Sequence, residues 1–219
     1  MDFPSKLETR EIDDERRYLT PEGNLYPSVT SLLGKISDNS YLEKWKKRVG
    51  EEQANKISFQ ARNRGTSVHA VVEKYINNEK ISGQMPHIQR SLLNLKPVLD
   101  KSLNNIRFIE QSLYSDELRV SGTPDIIAEW DGKLSIIDIK TSKKPKTQKQ
   151  IPVYFTQTCL YALMYKEHNK IMPFLPANLV IVMDVDNSYP RVFIEKTTDW
   201  INIAKSSVSE YYKKFPETI

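Results

Sequence analysis

A Pro-Asp pair and an Asp-x-Lys triplet are the residues of this chain whose types and spacing could do chemistry. Asp125 completes the pair at the start of one apolar run, and Asp138 and Lys140 lie in a second run rich in isoleucine. Residues i and i+2 of a strand project from the same face, so Asp138 and Lys140 would lie together. Ile137 and Ile139 would face the opposite way, into the core. If Asp125 lies on a neighbouring strand, the two carboxylates can share a cation beside an ammonium group, as metal-assisted phosphodiester cleavage requires.

The Asp-x-Lys triplet alone has a second interpretation, a surface ion pair on a half-exposed strand, which would contribute little. The chain also contains another such triplet, Asp131-Gly132-Lys133. Asp-Gly between two apolar runs indicates a hairpin turn, so this triplet is expected to join two strands. Asp125 and Asp138 lie in runs dominated by Ile and Val, where an unpaired charge is costly. A bound cation would offset that cost, which favours the functional interpretation.

Composition sets broader limits. The 219 residues carry a net charge of +4, which is compatible with a polyanionic partner, and no apolar run approaches the length of a membrane span. The single cysteine, Cys159, excludes an intramolecular disulfide and a Cys-rich zinc site and suggests a reducing compartment. The first eighteen residues hold six acids, unlike a secretory or mitochondrial targeting segment. We therefore expect one domain over residues 1–219, no membrane partner and a cytoplasmic location.

The order of periodic segments predicts an α/β fold. Residues 1–26 are expected to be irregular, with a short hairpin around residues 21–24. Residues 1–105 are expected to be mainly helical, and 106–219 to form the sheet core and a C-terminal helix. The predicted helices cover Ser28–Leu33 (with Ser28 as N-cap), Ser40–Asn55, Ile57–Asn77, a segment from Pro86 that Pro97 interrupts or kinks, Pro152–Glu167 and Trp200–Tyr212. The predicted strands are Ile106–Phe108, Leu118–Val120, Ile126–Ile127 and Leu134–Ile139, in a meander, then Leu179–Val185 and Arg191–Ile194.

A histidine and a glutamate share one face of the second long helix. His69 and Glu73 are four residues apart, and Gly65 lies one turn before His69, where the missing side chain would allow close approach of another backbone or a nucleic acid. The alternative is a capped helix with a half-buried histidine bonded to a carboxylate.

Three further features would converge on the same acids. Gln157 and Tyr161 share a face of the helix after the Asp-x-Lys strand, although such residues also occur at the border of an amphipathic helix. Residues 143–149 include four lysines, which form either a solvated loop or a segment that attracts phosphates in a salt-dependent way. Glu110 is a weaker candidate for a further acid.

Taken in order, these motifs resemble the RecB-type branch of the PD-(D/E)XK nuclease superfamily. The segments Tyr26–Leu33 and Leu42–Arg48 are in addition similar to the mitochondrial genome maintenance exonuclease family and its phage and bacterial relatives. The resemblance spans roughly residues 25–165, and without a targeting segment a bacterial or phage-infected host cell is the expected source. The motifs are Gly65-x-x-x-His69, Gly122-x-Pro124-Asp125, Asp138-Ile139-Lys140 and Gln157-x-x-x-Tyr161.

The resemblance implies a restriction-endonuclease-like core, which is a mixed sheet with an antiparallel meander flanked by helices, behind an N-terminal helical extension. It implies that His69, Asp125 and Asp138, with the Ile139 carbonyl, ligate Mg²⁺ or Mn²⁺. His69, Asp125, Asp138 and Lys140 would form the catalytic set, in which Lys140 orients the attacking water or stabilises charge at phosphorus.

The resemblance also implies a substrate and the residues that hold it. Upstream helices would form one wall of a channel for single-stranded DNA, with Tyr41, Trp45 and Phe59 as candidates for base stacking. The expected activity is a metal-dependent DNA exonuclease acting on single strands or ends. The alternatives are a structure-selective endonuclease on the same core and a non-catalytic nucleic-acid-binding module. The expected substrate-binding residues are Gln157, Tyr161, Arg64, Thr141, Lys143 and Lys144, and Glu73 and Glu110 are weaker candidates for the site.

Overall fold

The computed structural model describes residues 6–169, 174–186 and 188–216. None of the helices in these ranges is long and apolar enough to cross a membrane. The strands are β1 (Glu8–Ile12), β2 (Glu15–Leu19), β3 (Leu25–Pro27), β4 (Leu103–Ile109), β5 (Leu113–Ser115), β6 (Val120–Gly122), β7 (Ile126–Trp130), β8 (Lys133–Ser142), β9 (Asn178–Val185) and β10 (Arg191–Lys196). The helices are α1 (Val29–Ile36), α2 (Ser40–Val49), α3 (Glu51–Ile76), α4 (Pro86–Ser102), α5 (Pro152–His168) and α6 (Thr197–Lys214), with a short 3₁₀ turn at Gln148–Gln150.

A five-stranded mixed sheet with the order β10-β9-β8-β7-β4 forms the centre of the fold. The strands β4, β7 and β8 form an antiparallel meander, and β8 pairs with β9 in parallel. Asp131 and Gly132 join β7 to β8 with positive φ angles of 48° and 77°, as a two-residue hairpin turn requires. Helices flank this sheet, so the restriction-endonuclease-like core expected from the sequence is confirmed.

The sequence prediction placed one strand in the wrong sheet. Leu118 lies in a turn, and Val120 begins β6, which pairs with β5 in a separate two-stranded sheet rather than joining the meander. The N-terminal segment also differs from the expectation. The hairpin around residues 21–24 joins β2 to β3, but β1 adds a third strand where irregular chain was expected. β1 is rich in charged residues, so its sequence lacks the apolar residues that predict a strand.

The helices differ from the expectation at Gly50 and at Pro97. Ser28 caps α1 by accepting from the Ser31 N–H at 3.0 Å, as expected. The break between α2 and α3 lies at Gly50 and not near residue 56, because Gly50 adopts a φ of 86° that glycine tolerates. Pro86 begins α4 as expected, and the helix continues through Pro97 to Ser102 without interruption.

Both faces of the sheet are covered. Ile127 and Ile136 pack with α5 and α6 on one face, whereas Ile126 and Ile137 pack with α3 and α4 on the other. Because β7 and β8 are buried on both faces, they consist of nearly continuous apolar runs and do not alternate with polar residues. A charged side chain in these strands therefore lies inside the protein.

The N-terminal sheet packs behind the segment that leads into β7. The hydroxyls of Tyr18 and Thr123 lie 3.3 Å apart, and Ser28 forms a parallel bridge with Ser121. Glu15 connects this sheet to the last helix, because its buried carboxylate accepts from the Tyr211 hydroxyl at 2.7 and 2.8 Å.

Tyr211→Phe should lower the free energy of unfolding by about 1.5–3 kcal/mol, because a buried carboxylate loses a charge-assisted hydrogen bond. Urea denaturation measures the change. Tyr189→Phe is the matched control, since that ring is 88% exposed. Equal stabilities for the two variants would contradict this role of Glu15.

Candidate active site

Asp138 and Lys140 form a buried ion pair on the central strand β8. The Lys140 Nζ donates to Asp138 Oδ1 at 2.8 Å and lies 2.6 Å from Oδ2. Asp138 is only 1% exposed, which excludes the alternative of a surface ion pair. Burial raises the pKa of Asp138 and Lys140 lowers it, with a net value of about 6. Burial disfavours the Lys140 ammonium, but the charges of Asp138 and Asp125 outweigh it and raise the Lys140 pKa, so the group stays charged at neutral pH.

Asp125 lies beside this pair because of the register of the hairpin. Ile126 pairs with Ile137, so Asp125 enters β7 next to the Asp-x-Lys segment. Its Oδ2 accepts from the Ile139 backbone N–H at 2.6 Å. Burial raises the pKa of Asp125, but His69 and Lys140 oppose burial and hold the pKa below its usual value. Asp125 is therefore an anion over the whole physiological range.

His69 reaches both of these strands from α3. Its Nε2 donates to the Ile139 carbonyl at 2.7 Å, and its Nδ1 lies 3.2 Å from Asp125 Oδ1. Both ring nitrogens face oxygen acceptors, which is the arrangement of a protonated imidazole. Burial lowers the His69 pKa, but the charge and hydrogen bond of Asp125, together with the charge of Asp138, outweigh burial and raise the pKa to about 9. The imidazolium thus contacts two of the oxygens that were expected to bind a metal ion.

Glu110 is the third acid at this point. Its Oε1 lies 3.9 Å from His69 Nδ1, and its backbone N–H donates to the Asp125 carbonyl at 2.9 Å. Glu110 has a φ of 50°, an uncommon left-handed conformation for a residue other than glycine. Burial and the nearby charge of Asp125 raise its pKa to about 7. Glu110, a weaker candidate from the sequence alone, stays a prediction as a further acid of the site.

The donor set of this cluster fits a divalent cation. One ligand atom from each of His69, Glu110 and Asp125 can be chosen so that all lie within 4.8 Å of one another. Glu73, one turn from His69, lines the same small pocket of about 10 Å³. Carboxylate oxygens and an imidazole suit Mg²⁺ or Mn²⁺. The cluster does not include Asp138, whose carboxylate instead contacts Lys140.

Gln157 and Tyr161 lie behind the acids and not on an open surface. Tyr161 is 3% exposed, and its hydroxyl accepts from Gln157 Nε2 at 3.1 Å. Its ring lies against Gly122, where a Cβ would be only 2.6 Å from Tyr161 Cε1. Burial raises the Tyr161 pKa, and the charges of Asp138 and Asp125 add to the rise. Gly122 is therefore required at this position because the tyrosine ring fills the space of a side chain.

Sequence reasoning missed Tyr154. Its ring centroid lies 5.2 Å from Lys140 Nζ, and its hydroxyl accepts from Lys146 Nζ at 2.9 Å. The ring therefore contacts the lysine of the Asp-x-Lys triplet through a cation–π interaction. Tyr154 lies one helical turn before Gln157 on α5 and outside the four motifs.

The remaining expected substrate residues lie around the end of β8. Thr141 is half-buried, and Lys143 and Lys144 are exposed. Arg64 is held in ion pairs with Asp184, at 2.6 Å, and with Asp186, so its charge is balanced within the protein. Among the described residues no protein atom approaches Gly65 unusually closely, because a Cβ there would lie 3.7 Å from Thr141 Oγ1.

The chain matches known proteins in the part that carries the acids. Residues 87–183 match the family model of the PD-(D/E)XK nuclease superfamily, a range that contains Asp125, Asp138, Lys140, Gln157 and Tyr161. The resemblance stated from the sequence is therefore confirmed. His69 lies upstream of the matched range.

Curated relatives carry the name mitochondrial genome maintenance exonuclease 1. The mouse protein is 28% identical over 131 residues and the human protein 29% identical over 133 residues. Each alignment covers 56% of this chain but only 39% and 38% of the relatives, so the chain matches about two fifths of their length.

Two solved structures are similar at 13% sequence identity. A putative exonuclease from Eubacterium rectale has a TM-score of 0.46 and covers 71% of this chain and 66% of its own. SSO0001 has a TM-score of 0.38 and covers 84% of this chain and 75% of its own.

The affinity for Mn²⁺ should rise with pH. Below its pKa of about 9, metal-free His69 holds a proton that metal binding must displace, so raising the pH removes this competitor. We expect up to about tenfold tighter binding per pH unit from about pH 7 to about pH 9. Isothermal titration calorimetry in buffers of different ionisation enthalpy measures affinity and proton release.

His69→Gln should bind Mn²⁺ more weakly and with a flatter pH dependence, because it removes both a ligand and the competing proton. His87→Gln, on an exposed histidine, is the matched control. An affinity that does not change with pH in the unaltered protein would contradict the proton competition.

Gly122→Ala should lower the free energy of unfolding by about 1–3 kcal/mol and displace Tyr161, because the added Cβ overlaps the ring. Gly34→Ala is the matched control, since a Cβ there meets nothing within 4 Å and α1 favours alanine. Thermal denaturation compares the two variants. A Gly122→Ala protein as stable as the Gly34→Ala protein would contradict the steric argument.

Proposed function

We propose that this chain is a metal-dependent DNA exonuclease that acts on single strands or DNA ends. The observation that carries the proposal is the meeting of His69, Asp125 and the Ile139 carbonyl beside Lys140. The family match supports phosphodiester cleavage, and the names of the curated relatives support an exonuclease.

The cation would be held by His69, Asp125 and the Ile139 carbonyl, with Glu110 or Asp138 completing the shell. A bound Mg²⁺ or Mn²⁺ supplies a water of lowered pKa and neutralises charge on the phosphate. Asp138 stays a proposed ligand because its buried Oδ2 accepts no hydrogen bond and could therefore bind a cation. Its contact with Lys140 Nζ at 2.6 Å lacks hydrogen-bond geometry. Glu110 is proposed because it already lies within reach of His69 and Asp125.

Lys140 would stabilise the charge that develops at phosphorus. It remains an ammonium in a mostly buried setting, where a preorganised charge acts more strongly than in water. Asp138 and the ring of Tyr154 hold the ammonium from two directions. The group therefore needs little reorganisation when a phosphate arrives.

The upstream helices support a single-stranded substrate. The helix α2 has no buried residue and carries Lys46, Lys47 and Arg48 in its last turn. Tyr41 on α2 is 66% exposed and Phe59 on α3 is 63% exposed. Basic side chains combined with exposed aromatic rings are typical of surfaces that bind unpaired nucleotides.

An exonuclease and an endonuclease on this core are separated by a circular single strand. With Mn²⁺ or Mg²⁺ the protein should degrade linear single-stranded DNA and leave the circle intact, and EDTA should abolish the activity. A nicked circle would favour the structure-selective endonuclease. Tight DNA binding without cleavage under any metal condition would favour the non-catalytic module.

Lys140→Ala should lower the cleavage rate constant by about 100- to 1,000-fold, the usual effect of removing one preorganised charge, and leave DNA affinity nearly unchanged. Lys133→Ala is the matched control, because Lys133 ends the other Asp-x-Lys triplet and is exposed. Single-turnover cleavage and fluorescence anisotropy measure the two quantities. Equal rates for both variants would remove Lys140 from the mechanism.

A further inference from the structure

A groove of about 700 Å³ lies beside the candidate active site. One wall is α3, where Phe59, Asn63 and Ser67 occupy successive turns of one face. The opposite wall is the turn before α4, where Met85 is 66% exposed. The chain that leaves β8, residues 141–143, closes one end. The volume is that of an ordinary small-molecule site.

The groove is lined by residues that neighbour the proposed catalytic residues along β8 and α3. Thr141 follows Lys140 on β8, and its Oγ1 lies 3.7 Å from the position of a Cβ on Gly65. Gly65 is one turn before His69 on α3. Phe59 and His69 are separated by ten residues of one helix, or roughly 15 Å. That length corresponds to about four nucleotides at the stacked rise of 3.4 Å.

The lining selects a flat ligand with polar edges and a negative charge. Phe59 and Met85 offer exposed apolar surface, and the amide of Asn63 and the hydroxyl of Thr141 offer hydrogen bonds. Lys143 adds a positive charge at the end nearest β8. Arg64, deeper in the groove, pairs with the two carboxylates of Asp184 and Asp186, so this group adds no positive charge.

We infer that this groove is a nucleobase subsite, in which an unstacked base of single-stranded DNA packs against Phe59, with Met85 on the opposite wall. The base belongs to a nucleotide no more than about four positions from the scissile phosphate, because unstacked nucleotides are spaced more widely than stacked ones. The inference rests on the proposed nuclease function and specifies how its substrate is held. A nucleotide offers the flat apolar face and polar edges of its base and the negative charge of its phosphate, which the lining matches.

The test uses the full chain in EDTA, so that no cleavage occurs, and a set of labelled single-stranded oligonucleotides with one abasic site at each successive position. The unaltered protein should lose roughly tenfold in affinity at one position, as expected for a single base–aromatic contact. Phe59→Ala should bind the intact oligonucleotide roughly tenfold more weakly and lose this dependence on position. Phe59→Trp should retain both, and Tyr189→Ala, at a ring that is 88% exposed, should match the unaltered protein.

The outcomes separate this inference from the proposed function. If the unaltered protein cleaves DNA with Mn²⁺ but its affinity is the same for every abasic position, the subsite is excluded and the nuclease function stands. If the protein neither binds nor cleaves DNA, both fail. Thermal denaturation of Phe59→Ala checks that it folds, and the abasic series on the unaltered protein decides the question if it does not.

Discussion

The candidate site depends on burying carboxylates where two strands of the central sheet pair. Asp125 and Asp138 cannot both stay ionised there without nearby positive charge, because burial disfavours the charged form of each carboxyl and the charge of Asp125 further raises the pKa of Asp138. His69 and Lys140 supply that charge, and the Ile139 N–H adds a hydrogen bond. The positive charges of His69 and Lys140 balance the two carboxylates. A metal cation that displaces the His69 proton would therefore replace one positive charge by another.

The fold supplies this balance through elements on different faces of one sheet. His69 comes from α3 on one face, whereas Tyr154 and Tyr161 come from α5 on the other. The short hairpin turn at Asp131 fixes which residues of β7 and β8 lie side by side. The site therefore needs the helices of both faces and the correct strand register, which explains why its residues are distant in sequence.

The local sequence predicted the central strands, the hairpin turn and the closeness of Asp138 and Lys140. Hydrophobic periodicity and the residue types of a turn depend only on neighbours along the chain. The prediction placed the helix break away from Gly50, because the residues on both sides of this glycine are good helix formers. It could not find the contact of Tyr154 with Lys140 or the closeness of Glu110 to His69 and Asp125. Those depend on which elements the tertiary fold brings together, and no local period encodes that information.

The contact between Gly122 and Tyr161 has a consequence for the evolution of this chain. The two residues share one volume, since the ring occupies the space that any side chain at position 122 would need. A substitution at one position is then tolerated only with a compensating change at the other. Among homologous sequences the two positions should covary, with bulk at 122 accompanied by a smaller residue at 161.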